Sequence, residues 1–217
     1  TPGQFVTLQC DVGDKYAARR HYTVVSRPGD DHLAIAVRAV PPASEGVPAG
    51  LVSNAIADRV QVGDVMKLMA PFGGFESKAA SLAAEGRPVV LLSAGIGITP
   101  IQSFLHDFRE AGCPLVVSVH QDRSPSSHPF RDCHALAHRS FVRYSTVDSD
   151  DFPMGHLCAD DLRHVFDECR IDPKAAVAFC CGPASFMLDC SRYLKQLGVT
   201  AFHAEFFGPQ LSTSLEI

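Results

Sequence analysis

Four apolar residues in a row, Val89, Val90, Leu91 and Leu92, lead through Ser93 and Ala94 into Gly95-Ile96-Gly97-Ile98-Thr99-Pro100. A helical pattern then occupies 101–111. A strand without polar alternation is covered on both faces, the condition of a strand inside a parallel sheet. The chain after Pro88 keeps this grammar, with strands predicted over 114–120, 141–145, 175–180 and 200–206 and helical stretches over 130–139, 160–169 and 184–196. Strand and helix in alternation imply an α/β unit whose parallel sheet carries helices on both faces.

Residues 1–75 follow a different rule. Polar and apolar positions alternate over 4–10, 21–25 and 33–40, and Gly29-Asp30-Asp31 and Gly63-Asp64 supply turns, the second ahead of a strand over 65–70. One short helix fits 51–57. Short strands with regular turns predict a small antiparallel β-barrel. The chain opens at Thr1-Pro2-Gly3 without methionine, so the barrel's first strand is expected upstream, in a longer protein. The stretch 77–86, rich in Ala, Ser and Gly, is the expected junction between two domains, 1–80 and 87–217.

At 217 residues and 46% hydrophobic, the chain can bury a core in each half. A net charge of −5 leaves no basic footprint for nucleic acid. No apolar run approaches the roughly 20 residues of a membrane helix, and no signal peptide stands out. The eight cysteines form neither C-x-x-C nor C-x4-C-x2-C spacings, which predicts reduced thiols in a cytoplasmic protein without an iron–sulfur cluster.

The glycine turn lies at the carboxyl end of a parallel strand, where open α/β sheets bind ligands. Glycines admit an anion to the backbone, the following helix offers free N–H groups, and Pro100 suits a first helical turn. A tight strand-to-helix turn would use the same residues. Cys181-Gly182-Pro183 repeats the arrangement after the 175–180 strand, and Cys181 reads either as a sulfur against a planar ring or as an inert buried thiol. The last strand delivers Glu205, Phe206, Phe207, Gly208 and Pro209, an acid and two aromatics before a turn, or a core aromatic pair. In the first half, Arg20-His21-Tyr22-Thr23 offers a guanidinium fork and, two residues on, a ring on the same strand face. Gly50-Leu51-Val52-Ser53-Asn54 offers a second anion cradle with Ser53 as its helix cap.

Taken in order, Pro2-Gly3-Gln4-Phe5, the Arg20 to Thr23 strand, Gly50 to Asn54, Val62-Gly63-Asp64, Ser93 to Pro100, Cys181 to Pro183 and Glu205 to Pro209 resemble the ferredoxin–NADP⁺ reductase superfamily over nearly the whole chain. More narrowly they resemble the reductase module of flavohemoglobins, the nitric oxide dioxygenases. The resemblance implies an FAD-binding barrel followed by an NAD(P)-binding domain, and an NAD(P)H-dependent flavin oxidoreductase. Arg20 would hold the FAD pyrophosphate, Tyr22 would pack on the flavin, Thr23 would reach flavin N5, and His21 would also bind cofactor. Phe5 stands where relatives often carry tyrosine. Val52, Ser53 and Asn54 would meet the phosphates, and Gly95 to Pro100 would hold NAD(P)H. Cys181 would border the nicotinamide, with Gly182 and Pro183 also binding cofactor, Glu205 would tune the site, and Phe206 to Pro209 would cover the flavin. The implied partner is a haem globin in the same polypeptide, with haem present only there. A reductase serving an iron–sulfur oxygenase or a ferredoxin would share this core, and so would a redox-silent nucleotide-binding module.

Cys133, His134 and His138 invite a zinc reading but lack a fourth ligand, so they are expected on a solvated helix face, with no metal bound. Arg123 reads equally as a contact to an NADPH 2′-phosphate or ribose and as a loop charge, so NADH and NADPH are not separated.

Overall fold

Alternation in the first half produces a three-stranded antiparallel sheet. The computed structural model describes residues 1–11, 17–42, 49–206 and 215–216. Strand β1 (Phe5–Asp11) pairs with β2 (Ala17–Thr23), placing Phe5 opposite Thr23 and Leu8 opposite Arg20. Strand β3 (Lys67–Leu68) joins the other edge of β1. It is short because Pro71 follows and supplies no N–H; pairing resumes only at the Phe5–Phe72 bridge. Helix α1 (Leu51–Arg59) buries Val52 against Leu8 and Cys10.

The strand expected over 33–40 does not form. A single bridge joins Val24 and Ile35, and Ala34 to Val37 are all half-buried without alternation. Its carbonyl at Val40 is taken instead by the Gly50 N–H at 2.9 Å and the Asn54 side-chain amide at 2.9 Å. That end of the segment is therefore spent on the start of α1.

The expected junction carries a helix, α2 (Ala79–Ala84), whose Ala79 and Leu82 are buried with Phe104 and Phe108. The second sheet then follows the predicted grammar: β4 (Val89–Ala94), β5 (Val116–Asp122), β6 (Arg139–Tyr144), β7 (Val177–Cys181) and β8 (Ala201–Glu205) run parallel. Strand β9 (Leu215–Glu216) closes the edge antiparallel, in the order β6-β5-β4-β7-β8-β9. Helices α3 (Ile98–Glu110), α4 (Ala159–Glu168) and α5 (Ala184–Leu197) cover the two faces. Val89 to Leu92 are completely buried between two core clusters, as their unbroken apolar run requires.

The helix expected over 130–139 is replaced by a 3-10 stretch, Arg131–Leu136, entered through Phe130 at φ 53° and followed after two residues by β6. Tertiary contacts override helix propensity there. Cys133 and His134 turn inward, and His134 Nδ1 lies 2.9 Å from Ser118 Oγ. The expected solvated face is thus mostly interior. Of Cys133, His134 and His138 only the last is exposed, with its Nδ1 accepting the Val116 N–H.

Among the described residues no disulfide forms, and six of the eight cysteines are buried. Among them too, no helix is long and apolar enough to cross a membrane.

Candidate active site

The sheet order changes direction between β4 and β7: the chain proceeds outward through β5 and β6, then returns to the other side of β4. Such a switch point leaves a crevice at the carboxyl ends of the strands. Gly95, Cys181 and Glu205 all lie there, with Cys181 paired to Glu205 in register.

The glycines answer first to packing. A Cβ on Gly97 would sit 2.3 Å from the Cys181 carbonyl oxygen, and one on Gly182 would sit 3.1 Å from Ala94 Cβ and 2.9 Å from Phe186 Cδ1. The two strand ends touch only because both positions lack a side chain. Gly95 differs. It adopts φ +54°, opens the 3-10 turn Gly95–Gly97, and a Cβ there would meet Arg38 Nη1 at 2.9 Å. Ile98, Thr99 and Pro100 are buried in the first turn of α3, and the Thr99 hydroxyl donates to the Ile96 carbonyl. Of the six residues expected to hold a nucleotide, only Gly95 and Ile96 reach the surface. Arg38, which sequence reasoning missed, stands over them. It lies in the run read as a strand, and nothing local links it to a turn more than fifty residues on.

Cys181 is 1% exposed, and burial, reinforced by the Glu205 carboxylate, pushes its thiol far above the ordinary range. It is a neutral, covered thiol. Gly182 is half-buried and Pro183 exposed, immediately before α5. Burial raises Glu205 to about 7, and its Oε2 is buried without a hydrogen-bond partner among the described residues. Phe206 is half-buried against the core cluster that contains Leu92 and Phe186. Phe207, Gly208 and Pro209 lie outside the described residues.

Strand alternation divides the first-half residues between two faces. Arg20 and Tyr22 share the face of Leu8 and α1; Arg20 is exposed and Tyr22 packs beside Leu8 and Val52. Phe5, His21 and Thr23 share the other face, where the Phe5 ring lies 4.7 Å from His21 and 4.3 Å from Phe72. The expected cap at Ser53 is not made. Gly50 occupies the N-cap, no side chain caps the helix, and the Ser53 hydroxyl donates back to the Gly50 carbonyl at 3.3 Å. Asn54 likewise turns its amide onto Val40 and Gly50. Glycine is the only residue that fits at 50, since a Cβ would lie 2.6 Å from Ser53 Oγ and 2.8 Å from Val40 Cβ.

The two halves meet along α3. The Ser103 hydroxyl donates to the Val24 carbonyl at 3.2 Å, one residue beyond Thr23 and one turn beyond Thr99. Arg27 reaches His106 on the same helix at 3.1 Å. The end of β2 is thereby held beside the helix that springs from the Gly95 turn. A cleft of about 710 Å³ opens on this junction between Val24–Leu33 and Ser103, His106 and Glu110. Arg20, Gly95, Cys181 and Glu205 are not in its lining, so it is separate from the switch-point crevice.

The sequence profile of the oxidoreductase FAD-binding domain family matches residues 1–77. A flavohemoprotein of Bacillus cereus is 32% identical over 224 residues, covering 97% of this chain and 54% of the relative. One of Bordetella pertussis is 35% identical over 222 residues, covering 95% and 52%. The chain thus spans about half the length of the curated relatives it matches. The crystal structure of the flavohem-like FAD/NAD binding domain of nitric oxide dioxygenase from Vibrio cholerae superposes with a TM-score of 0.77 at 30% identity, covering 96% of this chain and 85% of that one. With two domains in this order, and a solved relative that it covers almost end to end, the chain belongs to the family of flavohemoprotein-type FAD/NAD-binding reductase domains.

Proposed function

We propose that the chain takes electrons from NAD(P)H through FAD and delivers them to a haem, held by a globin domain of the same polypeptide. Residues 1–80 serve as the FAD-binding unit and 87–217 as the NAD(P)-binding unit. The observation that supports this reading is the docking of α3 on Val24, which holds the strand end bearing Thr23 beside the helix that follows the Gly95 turn. When bound, the two cofactors supply the chemistry, a hydride passing from nicotinamide C4 to flavin N5.

The residues fit such guests. Arg20 is an exposed guanidinium on the face of α1, whose N-terminus has no side-chain cap; together they suit a pyrophosphate. Tyr22 offers a half-buried ring on that face, and Thr23 a small hydroxyl on the opposite one. Gly95 and Ile96 present backbone beneath Arg38, a second cation suited to nucleotide phosphates. Cys181 stays a thiol and so contributes polarizable volume without charge. Glu205 Oε2 is an orphaned acceptor that a polar ligand atom would satisfy. The protein's part is proximity and field.

Reconstitution with FAD, followed by anaerobic NADH, tests the reading. Bleaching of the flavin band, then its recovery on adding an oxidised haem globin, is the expected result. A flavin that is demonstrably bound yet does not bleach would refute it.

A further inference from the structure

Three imidazoles from separate parts of the sequence converge under the carboxyl end of β5. His120 is on the strand, while His128 and His134 lie in the connection from β5 to β6. All three are buried, and one ligating atom from each lies within 4.8 Å of the others. Every ring is gripped through Nδ1 by a hydroxyl: His120 by Ser93 at 2.8 Å, His134 by Ser118 at 2.9 Å, His128 by Tyr144 at 3.1 Å. The Nε2 atoms are left facing inward. Those of His128 and His134 are 3.0 Å apart, and that of His120 is 3.7 Å from Asp122 Oδ2.

A shared proton satisfies the His128–His134 pair. It does nothing for His120 Nε2 and Asp122 Oδ2, which are both buried with no hydrogen-bond partner among the described residues. Their separation is too long for a hydrogen bond. Asp122 is fixed through its other oxygen, which accepts from the Arg123 N–H and the Ser127 hydroxyl, each at 2.6 Å. Orphaned donors and acceptors in an interior call for a missing partner. A tetrahedral ion with bonds of about 2.0–2.1 Å spaces its ligands about 3.3 Å apart, between the two separations found. Metal-bound histidines characteristically use the second ring nitrogen for an outer-shell hydrogen bond, and here all three do.

We propose that His120, His128, His134 and Asp122 bind a divalent transition metal of the zinc class, which braces the 123–138 connection against β5. Three nitrogens and one oxygen favour such an ion over magnesium or calcium. Ser93, which orients His120, is two residues before Gly95, so the ion would also stiffen the base of the nucleotide turn.

Titration calorimetry with Zn²⁺ on the chelator-stripped, FAD-loaded chain, followed by zinc-edge X-ray absorption, tests this. One equivalent should saturate, the thermal midpoint should rise with free zinc, and the inner shell should hold imidazole nitrogens and one oxygen. His128→Gln should abolish that shell. Tyr144→Phe keeps all four ligands, removes only the hydroxyl behind His128, and should weaken binding about tenfold. It keeps the test open if the ligand variant does not fold. A folded chain that shows no saturable zinc binding, or affinity unchanged in Tyr144→Phe, overturns the proposal.

Discussion

Replacing Glu205 by glutamine should remove a destabilisation that grows with pH. Burial moves this carboxyl from 4.5 to about 7. The unfolded chain releases the proton near 4.5, and the folded chain holds it until about 7. Between those values the native state binds more protons than the unfolded one, so stability falls as pH rises through the window and levels off above it. At about 1.4 kcal/mol per pKa step, the full loss is about 3 kcal/mol. The buried histidines act oppositely. His128 and His134 are held near 3 and 4, so their contribution rises with pH up to the ordinary imidazole range. The wild-type profile alone therefore conceals the effect, and the difference between wild type and Glu205→Gln isolates it. The glutamine also carries a buried amide that lacks a partner, but that penalty does not depend on pH. Urea unfolding of both proteins at about pH 5 and about pH 8 should show their stability difference shifting toward the variant by about 2–3 kcal/mol at the higher pH. A difference constant with pH would mean that Glu205 ionises freely in the folded chain, and the burial argument would fail.

Gly97→Ala would drive a methyl into the Cys181 carbonyl, a backbone atom that cannot swing aside, and should lower stability by about 1–3 kcal/mol, read from the denaturant midpoint; an unchanged midpoint would show that the strand ends can part cheaply. Arg20→Ala removes a charge-assisted contact worth about 1.5–3 kcal/mol, so FAD affinity by flavin fluorescence titration should fall roughly 10- to 150-fold. No change would remove Arg20 from the pyrophosphate. Arg38→Ala should raise the KM for the nicotinamide nucleotide and leave the thermal midpoint unaltered, because the side chain is exposed; an unaltered KM would make Arg38 a bystander above Gly95.

What the sequence made legible is what depends on neighbours in the chain. The unbroken run from Val89 to Leu92 could only be a doubly covered strand, and it is wholly buried at the centre of the parallel sheet. The sheet's remaining parallel strands and α3 to α5 declared themselves by the same periodicity. The misread segments depend on distant partners. The alternation of 33–40 looks like a strand, but a strand needs an open edge, and the Val40 carbonyl is already claimed by α1. The 131–136 stretch carries a helical pattern that is broken once Ser118 draws His134 inward. The three-histidine cluster has no ligand spacing to find, because β5 supplies one ring and the loop beyond it the other two.

The glycine turn is the instructive case, because the motif was visible while its cause was not. Two explanations compete for such a stretch: room for a ligand, and room for the chain itself. At Gly97 the second accounts for the whole requirement, since a Cβ would meet the Cys181 carbonyl oxygen at 2.3 Å, and at Gly182 it accounts for most of it, with Phe186 Cδ1 at 2.9 Å and the Ala94 backbone nitrogen at 3.2 Å. Their presence then says nothing about a guest. At Gly95 the nearest atom is the end of a flexible arginine, which can move aside. The part of the motif that packing does not explain contracts to Gly95 and Ile96, and Pro183 at the start of α5 is exposed as well. Gly97 and Gly182 serve the site by a different route. By letting the ends of β4 and β7 touch, they hold Gly95, Cys181 and Glu205 on one rigid edge, and that rigidity is what a reaction dependent on proximity requires.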